Sequence, residues 1–285
     1  MPDIRLREKK GCAMMLAGDP CHPSNYPPRS LAESVSDLNL HHDWFSDPHR
    51  PEDPGPFLVI KDDFYQDPDQ VRATALEQRF VQYYPPVEEH VGATIAGQEA
   101  TSPGAWFSTA LHVYKGSPVV NPFEGFRYAS ESVLLRISKV LEEFGEKVQA
   151  PTWHNGGDGW NGAYHLMNEH WEGTNGSIHH HYKAGDVAPR GWSGVVYLSP
   201  DASPSSGTSI WRERATGRCV ATYGAKFDPD VSNYELALLI ENRFNRLVLF
   251  REHVLHRAEH GFGYGKSARL TQTFFFNSVR NESCR

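Results

Sequence analysis

Three consecutive histidines, His179-His180-His181, stand shortly before an apolar run at 194–198. Side chains at positions i and i+2 of an extended strand lie on the same side, so His179 and His181 can face one metal ion together. Imidazole is a suitable ligand for divalent iron, zinc, copper and nickel. A further histidine, His256, follows the apolar run 247–250 and can complete a site of three nitrogen ligands. Three protein ligands on one face leave other coordination positions open to small molecules.

An arginine inside an apolar run predicts an anion site near these histidines. Arg269 comes 13 residues after His256 and opens the largely apolar run 269–276. A buried guanidinium needs an anion, because an unpaired buried charge is costly, and its fork fits a carboxylate. Thr271 faces the same side two residues later and can donate its hydroxyl to the same carboxylate. The alternatives are an ordinary ion pair for the arginine and an exposed polar loop for the histidine run.

The overall composition excludes several classes of protein. With 285 residues, 39% of them hydrophobic, the chain can bury a large core and is not disordered. A formal net charge of -7 argues against broad electrostatic binding of nucleic acid. No apolar run is long enough to cross a membrane. The four cysteines lack metal-ligand spacing, so we expect free thiols and a location in the reducing cytoplasm.

The pattern along the chain predicts an irregular N-terminal extension, residues 1–55, and one domain, residues 56–285. The extension is rich in proline, histidine and aspartate and has no sustained period, so an arm, a lid and a disordered tail are all open. Residues 56–150 are expected to form supporting helices and strands, and residues 151–285 the core.

Local signals place the first elements of the domain. The apolar run 57–60 predicts a strand. Asp67 followed by Pro68 predicts the N-cap and first position of a helix. The apolar residues between Ser132 and Phe144 recur with a period of about 3.6, which predicts a second helix.

After Pro151 the pattern changes to short runs of strand type. They are separated by glycine, proline and asparagine, which favours an antiparallel barrel or sandwich over a fold of alternating strands and helices. The runs are 163–167, 194–198, 208–211, 247–250 and 270–276.

The segment 161–277 resembles the iron(II)- and 2-oxoglutarate-dependent dioxygenase superfamily. That family has a histidine, any residue and an acidic residue, then a distal histidine, then an arginine with a hydroxyl residue two positions later. Here 245–257 is similar to the distal-histidine segment and 269–276 to the arginine strand. Gly207-Thr208 resembles the hairpin between the two motifs, and 60–65 resembles the entry strand of a small bacterial branch.

The resemblance implies a fold and an activity. The fold would be mainly β with flanking helices (α+β), around a double-stranded β-helix or jelly-roll core. The activity would be a 2-oxoglutarate-dependent oxidation with molecular oxygen, expected to hydroxylate a C–H bond of a small molecule. No nucleic acid or membrane partner is implied, and a homodimer is compatible with it.

The resemblance also assigns roles to residues. Iron(II) would be held by His179, His181 and His256. The distal carboxylate of 2-oxoglutarate would be bound by Arg269 and Thr271. Tyr164, on the first core strand, would contact the same carboxylate, with packing inside the barrel as its alternative.

The sequence departs from the family at the acidic ligand. His181 stands where aspartate or glutamate is usual, which makes the site one charge more positive. Asp186 supplies a carboxylate instead if the following loop curls back. A third register uses His181 as the first ligand and puts Lys183, a poor ligand, at the acidic position. Family halogenases have a small residue there, so the bulky histidine argues against halogenation. The alternative function is a cupin-like metal-binding protein or isomerase without 2-oxoglutarate chemistry.

Overall fold

The protein is represented by a computed structural model, which describes part of the chain. The described residues are 45, 56–82, 93–95, 106–109, 112–114, 117–119, 131–155, 161–171, 178–181, 190–221, 228 and 230–280. In these ranges no helix has the length and apolar character needed to span a membrane.

Two antiparallel sheets dominate the described part of the chain. In spatial order the larger sheet runs β1-β12-β9-β14-β8-β4-β2-β3, with β7 also paired to β14. The smaller sheet has the order β11-β10-β13, and β5 and β6 form a separate pair. The strands are β1 (Leu58–Lys61), β2 (Arg79–Gln82), β3 (Ala93–Ile95), β4 (Trp106–Ser108), β5 (His112–Tyr114), β6 (Ser117–Val119), β7 (Glu146–Val148), β8 (Tyr164–Met167), β9 (Arg190–Tyr197), β10 (Thr208–Glu213), β11 (Tyr234–Ile240), β12 (Leu247–Arg251), β13 (His256–Ala258) and β14 (Arg269–Arg280).

A buried apolar cluster joins the facing sides of the two sheets. Val195 and Val248 of the larger sheet belong to the same cluster as Ile210 and Ile240 of the smaller sheet. Such burial stabilises by about 25 cal/mol for each Å² of apolar surface removed from water. The two packed antiparallel sheets confirm the predicted fold class, mainly β with flanking helices around a jelly-roll core.

Among the described residues, three α-helices accompany the sheets: α1 (Pro68–Leu76), α2 (Glu131–Glu142) and α3 (Ala150–Asn155). The start of α1 is as predicted, because the Asp67 side chain accepts a hydrogen bond from the Gln70 backbone N–H at 3.0 Å. The helix expected up to Phe144 ends at Glu142 instead. Gly145 has a φ of 70°, the left-handed conformation in which helices commonly terminate, and Phe144 is left 43% exposed.

The two faces of β14 contact different parts of the molecule. Leu270, Phe274 and Phe276 lie in the apolar cluster that includes Ile137 and Leu141 of α2. Because side chains alternate along a strand, Arg269, Thr271, Thr273 and Phe275 share the opposite face. Thr273 and Phe275 are half-buried, so this face is open to solvent at its middle, between the sheets.

An ion pair fixes the entry strand to the segment before β12. Asp62 follows β1, and its carboxylate accepts hydrogen bonds from Arg246 Nε at 2.6 Å and Nη2 at 3.1 Å. Arg246 is 2% exposed. The two segments that carried separate parts of the resemblance, 60–65 and 245–257, therefore meet in space.

Most of the predicted N-terminal extension, residues 1–44 and 46–55, lies outside the described residues, so its boundary stays a prediction. Phe45 is buried and stacks on Phe57, with ring centroids 5.6 Å apart. This position of the extension therefore packs into the apolar cluster between the sheets.

Candidate metal and carboxylate site

His179, His181 and His256 come together between the sheets. One ring nitrogen of each lies within 4.8 Å of the other two, and the Nε2 atoms of His179 and His181 are 3.2 Å apart. In the described part of the chain, no other group of three metal-ligating side chains has this arrangement.

Backbone pairing produces this convergence. His179 and His256 form an antiparallel bridge in which each N–H donates to the other's carbonyl, at 3.0 and 2.9 Å. His181 N–H donates to the Glu252 carbonyl at 2.7 Å. The prediction placed His179 and His181 on one regular strand. The structure has only this isolated bridge, but the extended backbone still puts both side chains on one side.

Hydrogen bonds at Nδ1 leave Nε2 of two histidines available as a ligand. His256 Nδ1 lies 2.8 Å from the Val254 carbonyl, which can only accept, so the proton is on Nδ1. His181 Nδ1 lies 2.6 Å from the Ser193 hydroxyl. Metal-ligating histidines usually donate their second ring N–H in this way, which fixes the tautomer and the orientation of the ring.

The environment also favours the neutral, metal-binding form of these rings. Burial lowers the pKa of His181 and of His256 well below the ordinary value, and the neighbouring histidines lower it further. His180 lies outside the triad. Its pKa is also lowered, first by burial and to a smaller extent by the charge of the nearby His179. Three neutral imidazoles are a donor set that iron(II) accepts, so the residues present fit a divalent metal.

Arg269 is 1% exposed, and its guanidinium has more N–H groups than it has hydrogen-bond partners among the described residues. Its Nε donates to the Ser206 carbonyl at 2.6 Å and its Nη2 to the Gly207 carbonyl at 3.1 Å, while Nη1 donates to Met167 Sδ. A guanidinium has five N–H groups, so three of five are used and two remain.

The positive charge of Arg269 has no carboxylate within ion-pair distance among the described residues. Burial lowers its pKa, and Tyr197 and Glu259 oppose that change. The carboxylate of Glu259 is already bound, by Arg257 at 3.0 Å and by the Ser209 hydroxyl. The surroundings of Arg269 are therefore compatible with the predicted site, in which its guanidinium binds an anion that is not part of the protein.

Gly207 is needed where Arg269 meets the hairpin. A Cβ atom on Gly207 would lie 1.8 Å from the Ile240 carbonyl oxygen, so no larger residue fits without a shift of the backbone. The close approach brings the Gly207 carbonyl to Arg269. The sequence had indicated this hairpin but not its contact with the arginine.

Thr271 lies on the Arg269 face, is 2% exposed, and its hydroxyl makes no hydrogen bond with the described residues. Tyr164 does not join it. In the β8–β14 register Tyr164 is opposite Gln272, whereas His165 is opposite Thr271 and Met167 is opposite Arg269. Directly opposed residues share a face, so Tyr164 lies on the other side of the sheet from Arg269.

Tyr164 instead packs in the apolar cluster beside the helices, where burial raises its pKa to about 12. The expected contact with a carboxylate beside Arg269 is therefore wrong, because the alternation along β8 points its ring the other way. The residues of β8 that face the site are His165 and Met167, neither of which the sequence had indicated. All four residues of β8 are buried, so no polar alternation distinguished the two faces.

Asp186 and Lys183, the two alternatives at the acidic position, lie outside the described residues. Ser193, Met167 and Thr273 also line the site and were not predicted. None of them belongs to a motif, and only the strand register reveals their positions.

Comparisons with known proteins found weak structural similarity to several solved structures. No protein-family model and no curated protein matches the sequence. Among solved structures, HygX from Streptomyces hygroscopicus with nickel, 2-oxoglutarate and hygromycin B bound is 12% identical, at a TM-score of 0.40, over 85% of this chain and 86% of that chain. A Pseudomonas putida prolyl-4-hydroxylase is 17% identical, at a TM-score of 0.34, over 87% and 98%. A Trichoplax adhaerens prolyl hydroxylase, in complex with a hypoxia inducible factor peptide fragment, is 10% identical, at 0.33, over 90% and 96%. At TM-scores this low we draw no conclusion about this chain from them.

Proposed function

We propose that this protein is a non-haem iron(II)- and 2-oxoglutarate-dependent oxygenase that oxidises, by hydroxylation, a C–H bond of a small molecule. The observation that carries the proposal is one inner face holding two complementary parts. Three histidine nitrogens converge within 4.8 Å, and a buried arginine without a carboxylate partner among the described residues lies on the strand beside them.

Each residue has a part in this function. His179, His181 and His256 hold the iron through Nε2, with Ser193 and the Val254 carbonyl fixing two of the rings. Arg269 and Thr271 bind the distal carboxylate of 2-oxoglutarate with the two unused guanidinium N–H groups and the hydroxyl. Iron, when bound together with 2-oxoglutarate and oxygen, supplies the oxidation of the substrate C–H bond.

The surroundings of the site are suited to this chemistry. Phe250 lies over His256, with ring centroids 4.3 Å apart, and Phe275 meets His181 edge-on at 5.0 Å. These rings exclude water from the back of the metal site, which strengthens its polar interactions. Thr273 is half-buried on the same face as Arg269, and we propose that a small substrate approaches from its side. We also propose a cytoplasmic location, as the spacing of the four cysteines in the sequence indicates.

The direct test is stoichiometric. The purified protein, loaded anaerobically with iron, should bind about one metal ion per chain and convert 2-oxoglutarate to succinate when oxygen is admitted. His256→Ala should abolish metal binding, because only two protein ligands then remain. Full iron affinity in His256→Ala would show that His256 is not a metal ligand and would reject the proposed metal site. Iron binding without any 2-oxoglutarate binding would reject the oxygenase.

The second candidate is a cupin-like metal-binding protein or isomerase that has no 2-oxoglutarate chemistry. One observation favours it, namely that Arg269 already donates to two backbone carbonyls and one sulfur. On this view Arg269 supports the hairpin. Metal binding that is insensitive to 2-oxoglutarate would select this candidate.

A further inference from the structure

Met167 lies against the guanidinium of Arg269 on the inner face of the larger sheet. The two residues are directly opposite each other in the β8–β14 pairing, and Arg269 Nη1 donates to Met167 Sδ at 2.7 Å. Met167 is 3% exposed and Arg269 is 1% exposed, so this contact is withdrawn from the surface of the protein. The function proposed above gives no role to the sulfur atom.

The sulfur contacts the edge of the guanidinium at which an anion would bind. Nε and Nη2 each donate to a backbone carbonyl of the hairpin, those of Ser206 and Gly207. One N–H then remains on Nη1 and one on Nη2, and these two nitrogens form the outer edge that pairs with a carboxylate. A thioether is only a weak acceptor, so a carboxylate competes with it successfully for Nη1.

Oxidation of the sulfur would reverse this competition. When methionine reacts with a peroxide, the O–O bond breaks, one oxygen atom bonds to Sδ, and the other leaves as water. The sulfur loses two electrons to the peroxide, and the apolar thioether becomes a polar sulfoxide. The new oxygen is one bond from a sulfur that already contacts Nη1, and as a strong acceptor it would hold the N–H that the carboxylate needs.

We propose that Met167 is an oxidation site, at which a peroxide converts the thioether into a sulfoxide that competes with the acidic cosubstrate for Arg269. The inference rests on the proposed function, because the group that loses its partner is the distal carboxylate of 2-oxoglutarate. The modification lowers the affinity for the cosubstrate and leaves the three metal ligands intact.

The burial of Met167 makes its oxidation depend on the ligand. Peroxide reaches the sulfur by the route that admits an anion to Arg269, so bound 2-oxoglutarate should slow the oxidation several-fold. 2-Oxobutyrate, which has the same 2-oxo acid end but lacks the distal carboxylate, should protect less. The nickel-loaded protein, which avoids the reaction of iron with peroxide, is treated with hydrogen peroxide in the presence and absence of each acid. Peptide mass spectrometry then measures the sulfoxide at Met167.

The affinities of the oxidised protein test the competition itself. After catalase has removed the peroxide, isothermal titration should show 2-oxoglutarate binding weakened by roughly tenfold or more, because a charged hydrogen bond to its carboxylate is lost. The affinity for 2-oxobutyrate should be unchanged, since this acid has no carboxylate to place at Arg269. Dithiothreitol is added before the titration, because it reduces disulfides formed by the four cysteines and leaves the sulfoxide in place.

Two variants separate the sulfur of Met167 from general damage. Met167→Leu has no sulfur at this position, so its affinity for 2-oxoglutarate should be the same before and after the peroxide treatment. Met167→Gln places an oxygen acceptor beside Arg269 permanently. It should bind 2-oxoglutarate weakly without any peroxide and still bind 2-oxobutyrate. Nickel affinity should not change when the wild type is oxidised, because Met167 is not a ligand.

Several results would overturn the inference. One is that Met167 stays unoxidised when Met14 and Met15 are fully converted. Another is that oxidised Met167 leaves the 2-oxoglutarate affinity at its original value, or that peroxide weakens Met167→Leu as much as the wild type. A joint loss of nickel, 2-oxoglutarate and 2-oxobutyrate binding would show general damage and overturn it as well. Failure of the untreated iron and nickel complexes to bind 2-oxoglutarate at all would instead overturn the proposed function.

Discussion

The Ser193 hydroxyl lies 2.6 Å from His181 Nδ1 and ties that ring to the middle of the larger sheet. Ser193 is opposite Phe250 of β12 and opposite Phe275 of β14, so it belongs to a strand with partners on both sides. It is 1% exposed. His181 stands at the position where a carboxylate would be usual, and the sheet provides a hydrogen-bond partner suited to imidazole. A hydrogen bond at Nδ1 therefore orients the ring of His181, as is usual for histidines that ligate a metal.

Ser193→Ala should weaken binding of iron(II) or nickel(II) about 10- to 100-fold, the usual effect of removing a hydrogen bond that orients a metal-ligating histidine. Isothermal titration of the metal-free protein with nickel measures this. Ser199→Ala is the control, because Ser199 is also buried near the end of β9 but bonds the backbone of Leu270 and Ala268. Equal metal affinity in Ser193→Ala and the wild type would contradict the orienting role.

His181→Ala should weaken metal binding far more than Asp186→Ala. His181 already points its Nε2 at His179, whereas Asp186 becomes a ligand only if the loop after His181 bends back. Metal dissociation constants of the two variants, measured side by side, decide the matter. The opposite ranking would mean that a carboxylate supplies the third ligand after all.

The Asp62–Arg246 pair predicts a loss of stability in acid. The hydrogen bond from Arg246 lowers the pKa of Asp62, burial opposes this, and the charges of Arg246 and Arg243 lower it further. Because the folded pKa is below the unfolded value, the unfolded chain binds more protons in acid. The stabilisation is therefore complete above the unfolded pKa, near 3.8, and is lost as pH falls through the folded pKa.

Asp62→Asn tests this pair. At pH 7 the Asp62→Asn variant should be less stable than the wild type by about 2 kcal/mol, because the buried charge of Arg246 loses its carboxylate partner. The loss is not larger because Asp62 itself is only partly buried. Urea unfolding at pH 7 and pH 3.5 measures the effect, which should shrink at the lower pH. Arg243→Gln is the control, because Arg243 is exposed and bonds the same carboxylate from solvent. A pH-independent difference would contradict the ion-pair explanation.

The sequence predicted the elements of this fold better than their faces. A strand at 57–60, a helix starting at Asp67 and the antiparallel rhythm after Pro151 follow from local turn and cap chemistry, and the structure has them. The three histidines that the structure brings together were also selected from the sequence, because His179 and His181 are two residues apart and His256 follows an apolar run. The choice of Tyr164 was wrong, since β8 is buried on both sides and its period of two cannot be read from polarity.

Long-range register explains the rest of what was missed. Ser193 meets His181 through its position opposite Phe275, and His165 meets Thr273 through the β8–β14 pairing. Both contacts depend on how strands align, which a single sequence does not specify. The end of α2 was missed for a local reason. Phe144 continues the apolar period, but the left-handed Gly145 has already terminated the helix.

Arg269→Ala should weaken 2-oxoglutarate binding about 30-fold to several-thousand-fold, the usual effect of truncating one partner of a buried charge pair. Metal affinity should stay nearly unchanged, because Arg269 is not a ligand and donates instead to the Ser206 and Gly207 carbonyls. Arg269→Lys should rescue poorly, since a point charge cannot make the bidentate contact. Anaerobic titration of the iron complex, following its charge-transfer band, measures each affinity. An unchanged titration in Arg269→Ala would remove the cosubstrate role of this residue and favour the metal-binding protein without 2-oxoglutarate chemistry.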